Sequence, residues 1–151
     1  MKDCIFCQIA RDEAPSHKFW EDENHLAFLS IFPNTPGFSV VIPRLHYPSY
    51  AFNLSDEVLS KLTIAAKHVA QLLDHKLDGV ARTGLIFEGY GVDHVHAKLF
   101  PMHGTGCDSS FRPIHSAVDK FFLSYEGYIS SHDWKRADDS KLALLAAHLR
   151  T

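Results

Sequence analysis

At 151 residues, with 46% hydrophobic and 22% charged content, the chain sits in the ordinary globular range and at the size of one domain, which argues against a disordered chain, a repeat array or two domains. Its 15 Lys and Arg against 18 Asp and Glu give a formal charge of −3. That balance removes any overall electrostatic case for nucleic acid or an anionic membrane, so a phosphate site must be local.

The first seven residues lack the apolar run of a signal peptide, and no stretch approaches the ~18 consecutive apolar residues of a membrane span, so a cytoplasmic protein is expected. Residues 4–11 read as a short helical turn, broken by Ala14-Pro15-Ser16 ahead of the run from Lys18 to Asp22. Leu26 to Leu29 and Phe38 to Pro43 read as strands. The intervening Pro33-Asn34-Thr35-Pro36-Gly37 is a turn signal, which predicts an antiparallel hairpin with a wide loop. Ser55 is placed as an N-cap, with Asp56 and Glu57 in the first turn where the helix dipole favours negative charge. From there Val58, Leu62, Ala65, Ala66, Val69, Leu72, Leu73 and Leu77 recur at spacings of three and four, predicting a long helix that Gly79 stops. Thr83 to Phe87 reads as a strand, Gly89-Tyr90-Gly91 as a tight connection, and Val92 to Pro101 as a further strand. Beyond it, Gly104-Thr105-Gly106 and Asp108-Ser109-Ser110 are the best candidates for a mobile loop. Lys120 to Tyr125 and Tyr128 to Ser131 are candidate strands, and Ser140 to Arg150 carries the period of an amphipathic helix.

Two groups of residues carry chemistry. In His94-Val95-His96-Ala97-Lys98, a strand period of two puts His94, His96 and Lys98 on one face. That row is either a wet strand face or a site rich in nitrogen. Cys4 and Cys7 have the two-residue spacing that lets both sulfurs reach one metal ion, yet they supply only half a tetrahedron. A redox dithiol or incidental cysteines are the other readings.

With these residues the chain resembles the histidine-triad (HIT) family, whose hallmark alternates three histidines with apolar residues. The resemblance extends upstream in the family's order through Cys4 to Ile9, Trp20-Glu21-Asp22, Leu26 to Leu29, and Pro36-Gly37 before Val40 to His46. It spans about residues 4–103, leaving 104–151 as a C-terminal extension on the same single domain, 1–151. What it implies is a HIT-like α+β fold: an antiparallel sheet of about five strands, the long helix across one face and the tail helix beside it, commonly as a homodimer.

The family binds nucleotides at their phosphates, and many members cleave them through the middle histidine. The resemblance therefore implies His96 as nucleophile, with Lys98, at the third histidine's position, as the electrostatic partner of the phosphate. Ile5, Phe6, Ile9, Phe28 and Ile31 match positions where the family clamps a base, and Ser30 stands where many members bind the ribose. In the zinc-containing branches the CxxC pair is joined by a histidine after the Val-Ile-Pro strand and by the first triad histidine, which implies a structural zinc ion held by Cys4, Cys7, His46 and His94. Lys98, Ser30 and Phe87, the last replacing a common asparagine, depart from the family pattern. The readings left open are a nucleotidyl hydrolase or transferase, a nucleotide-binding module without turnover, and a zinc-stabilised interaction protein.

Overall fold

In the computed structural model, which describes residues 4–106, 113, 115, 120–125 and 135–150, the chain begins with α1 (Ile5–Ala10). It turns at Asp12, whose φ of 59° is a conformation that short polar side chains tolerate, and enters β1 (His17–Glu21). The reversal into β2 (His25–Leu29) is held by Asp22, whose Oδ1 accepts the N–H groups of Asn24 at 2.8 Å and His25 at 2.6 Å. After a wide loop, β3 (Ser39–Pro43) pairs antiparallel with β2, Leu26 opposite Ile42 and Phe28 opposite Val40. The hairpin expected from the two apolar runs is therefore present.

The long helix is α2 (Asp56–Lys76), and the Ser55 hydroxyl accepts the Val58 N–H at 3.4 Å. β4 (Val80–Ile86) and β5 (Ala97–His103) follow, then α3 (Asp139–Arg150). The five strands form one antiparallel sheet in the order β1-β2-β3-β5-β4, so the α+β architecture expected from the sequence is the one observed.

Every residue of β2 and β3 is buried, because both faces of the sheet centre are covered. Ala27, Leu29, Val41, Ala97 and Leu99 pack with Leu62, Ala65, Val69 and Leu73 of α2 and with Leu142, Ala146 and Leu149 of α3. Leu26, Phe28, Val40 and Ile42 form a second core with Ile9, joined by Phe6 and Phe100. The short α1 thus covers the face opposite the long helix. Among the described residues no helix is long and apolar enough to cross a membrane.

Four expectations change. The strand expected over Val92 to Pro101 starts only at Ala97 and runs on to His103. Residues 92–95 bend instead, with the His94 N–H on Val92 O at 2.8 Å and the Val95 N–H on Tyr47 O at 3.0 Å. Pro101 does not end the strand, because pairing with β3 stops at Leu99 and only β4 lies beside Pro101, opposite Thr83. The fifth strand is β1, a run with no strand assignment from sequence; Lys120 to Tyr125 is not a strand, and Tyr128 to Ser131 lies outside the described residues. Gly104 to Gly106 is tied down, since all three N–H groups donate to Gly79 O at 2.9–3.1 Å; Asp108 to Ser110 lies outside the described residues.

Candidate active site

The bend at 92–95 is what brings the candidate residues together. Asp93 Oδ1 accepts the Ser49 N–H at 2.9 Å, holding the bend against the segment after β3. With the bend fixed there, His94 is fully buried and turned towards α1. Its Nε2 donates to Pro43 O at 2.9 Å; a carbonyl can only accept, so the neutral ring keeps its lone pair on Nδ1. That Nδ1 lies 3.6 Å from Cys4 Sγ and 3.5 Å from Cys7 Sγ, and His46 Nδ1 lies 3.3 Å from Cys7 Sγ. One ligand atom from each of Cys4, Cys7, His46 and His94 falls within 4.8 Å of the others, a cluster able to hold a metal ion. Burial pushes His94 down to about 4, against its hydrogen bond to Pro43, so the ring is neutral at pH 7. Burial, and then Cys4, push the Cys7 thiol up.

His96 follows directly. It is 3% exposed, and its Nδ1 donates to His94 O at 2.7 Å, which leaves the lone pair on Nε2. Burial is the largest influence on its pKa and lowers it. The Phe6 ring stands edge-on to both histidines, 5.9 Å from His94 and 5.4 Å from His96 between centroids, and 5.5 Å from Phe28. One aromatic residue of α1 therefore touches the metal-type cluster, the buried imidazole and the apolar wall of the sheet.

The remaining candidates divide. Ile9 and Phe28 are buried in the core beside Phe6, whereas Ile5, on the same helix, is 43% exposed. Ile31 packs instead with the core under α2 and α3, apart from the Phe6–Phe28 wall. Ser30 Oγ accepts the Phe32 N–H at 3.2 Å, within its own turn. Lys98 pairs with Glu88, Nζ to Oε2 at 2.6 Å. Sequence reasoning gave Glu88 no role; the pair depends on the β4–β5 register, with Ile86 opposite Lys98, which the sequence does not give. His103, beyond the site, donates from Nε2 to Pro36 O at 2.8 Å and is exposed.

Comparison with known proteins gives the family and the fold. The HIT domain profile matches residues 11–105. A HIT-like protein of Borreliella burgdorferi is 41% identical over 107 residues, covering 67% of this chain and 76% of the relative. An adenosine 5'-monophosphoramidase of Saccharomyces cerevisiae is 34% identical over 98 residues, covering 65% of this chain and 61% of that enzyme. Among solved structures, a zinc-bound histidine triad family protein from Mycobacterium smegmatis superposes with a TM-score of 0.65 at 21% identity, covering 98% of this chain and 94% of the other, a likeness of fold. By its profile match and its relatives, the chain belongs to the HIT domain family.

Proposed function

We propose that this protein binds nucleoside phosphate derivatives and transfers their nucleotidyl group through His96. The observation that carries the reading is the buried imidazole whose Nδ1–H is committed to His94 O. The ring is thereby fixed with Nε2 as a lone-pair nucleophile, a role a neutral imidazole performs near pH 7. Attack by Nε2 on the α-phosphorus forms a P–N bond as the bond to the leaving group breaks and that group takes a proton. Water then attacks the same phosphorus, releasing His96 and a nucleoside monophosphate. The Lys98 ammonium supplies charge stabilisation for the phosphoryl oxygens. Ile5, Phe6, Ile9 and Phe28 are the proposed base wall, and Ser30 the ribose contact. The similarity to the yeast monophosphoramidase supports a nucleotide with a substituted α-phosphate as substrate.

The four-residue cluster fits zinc. Bond lengths of about 2.3 Å to sulfur and 2.0–2.1 Å to nitrogen, at tetrahedral angles, separate S and N ligands by roughly 3.5 Å, and Cys4–His94, Cys7–His94 and Cys7–His46, three of the four S···N distances here, are 3.3–3.6 Å. Cys4, Cys7, His46 and His94 would hold the ion, which supplies folding free energy and keeps the thiols deprotonated. Its role would be structural: His94, held in place by the ion, carries the carbonyl that orients His96.

One observation favours the alternative of binding without turnover, namely that Lys98 is already paired with Glu88. Mass spectrometry after incubation with nucleotides and their phosphoramidates separates the two. A nucleotidyl adduct on the wild type, absent in His96→Ala, is expected; nucleotide binding with neither adduct nor product across the set establishes the binding module. The homodimer implied by the family is proposed on the same footing, with the edge strand β4 as its place, and sedimentation reads it.

A further inference from the structure

The last pair of β4 and β5 is Ile86 opposite Lys98, and Glu88 follows β4 by two residues, where its carboxylate reaches Lys98. The carboxylate is held from two sides. Its Oε2 takes Lys98 Nζ at 2.6 Å, with the two side chains 9% and 14% exposed, and its Oε1 accepts the Tyr125 hydroxyl at 2.5 Å. Tyr125, from the C-terminal extension, also stacks on Tyr90 with ring centroids 5.9 Å apart. At the following residue, Gly89 has a φ of 78°, and a Cβ there would come within 3.3 Å of Ser49 O. The backbone carrying Glu88 therefore lies close against the segment that also holds the Asp93 bend.

This constellation changes the charge that an incoming phosphate meets. Lys98 brings a permanent cation, but Glu88, 2.6 Å away, brings its counter-charge. The ammonium still has hydrogen-bond donors beyond the one spent on Glu88, so short-range contact survives while the longer-range attraction is largely cancelled.

We propose that Glu88 is a specificity-determining residue: by offsetting Lys98 it keeps the site from favouring a phosphorus centre bearing two negative charges over one bearing a single charge. The inference rests on the proposed reading of His96 as the point of phosphoryl attack. A nucleotide substituted on its α-phosphate as an ester, amide or mixed anhydride carries one charge at that phosphorus. The monophosphate product, with a second pKa of about 6, carries nearly two at neutral pH. An uncompensated lysine would hold the product more tightly than the substrate and slow its release. The compensated pair discriminates little by charge.

The test uses two ligands that differ in this one charge, adenosine 5'-monophosphate and its methyl ester, measured by calorimetry at pH 7.5 and low salt. In Glu88→Gln the ratio of methyl-ester Kd to monophosphate Kd rises by about tenfold, equivalent to ~1.4 kcal/mol. In Lys98→Met, which leaves the carboxylate alone, it falls by a similar factor. In the double variant, where both charges of the pair are gone, it returns to within about threefold of wild type. A purely structural role for the pair shifts both ligands alike and leaves the ratio unmoved; that result in both single variants overturns the proposal, and should one single variant not fold, the other and the double variant decide it. Wild-type protein that binds neither ligand at millimolar concentration overturns the reading of the phosphate site itself, and this inference with it.

Discussion

His96 sits where several influences oppose one another. Burial lowers its pKa and the hydrogen bond to His94 raises it; Lys98 then lowers it and Glu88 raises it, with a net downward result. Its neutral form therefore persists below the ordinary imidazole value of about 6.5. The acid limb of a kcat/KM profile is expected below that pH, with the rate falling only as pH drops through the lowered value. Lys98→Ala removes a lowering influence and leaves Glu88 uncompensated, so its acid limb moves upward; an unmoved limb would show that Lys98 is not coupled to the nucleophile. Asp22 gives the corresponding statement for stability. Burial opposes its ionisation, but the Asn24 and His25 N–H groups outweigh that and hold its carboxyl below the usual range. Its stabilisation is complete above the unfolded value of about 3.9 and is lost as pH falls through the lower folded value. Asp22→Ala is expected to cost roughly 1–2 kcal/mol near pH 7, for two hydrogen bonds, and to flatten the acid limb of urea-midpoint against pH. At this scale the sequence named the residues that converge, through the CxxC spacing and the family pattern around His46 and His94. It did not name Glu88, because an ion pair between adjacent strands appears only once their register is known.

α1 has six residues, too few to be stable as an isolated helix. Its position depends on Phe6 and Ile9 against the sheet and on the two cysteines beside His46 and His94. Cys7→Ala is expected to lose the proposed zinc, from about one ion per chain to none by elemental analysis. Its stability should fall by more than the roughly 2 kcal/mol of burying a small side chain, and chelation of the wild type should reproduce the loss. Folded wild-type protein that is consistently metal-free would exclude the zinc. The helices were the most legible elements, because α2 combines a long apolar period with the Ser55 cap. The strands were less so. β1 carries Trp20 and Phe19 without clean alternation, and its pairing with β2 shifts register between Lys18 and Trp20, an irregularity that a period-two reading does not anticipate. The strand expected from Val92 failed for a different reason: contacts with Tyr47 and Ser49, more than forty positions earlier, override the local pattern.

Across the whole molecule, the tail helix closes the core rather than decorating it. Leu142, Ala146 and Leu149 are buried with residues of β1, β2 and α2, and His148 donates from Nε2 to Lys76 O at 2.9 Å. If the chain is the single domain proposed, Leu149→Ala should cost about 2–5 kcal/mol. At roughly 2–4 °C per kcal/mol, calorimetry should show one transition moved down by about 4–20 °C. Two separated transitions would assign α3 to an independent unit. The route from the sheet to that helix starts at the Gly79 carbonyl, which gathers the N–H groups of Gly104, Thr105 and Gly106, while the Thr105 hydroxyl accepts the Ala81 N–H and donates to Met102 O. Gly106 is needed there, as a Cβ would lie 2.7 Å from the Gly79 backbone. Three amides that share one acceptor cannot open one at a time without loosening the others, so in deuterated water their hydrogens should exchange at a common rate. That rate should be slower than the exposure of the segment suggests, marking a residue triplet that reads as pliable from its glycines as the fixed point from which the extension leaves the sheet.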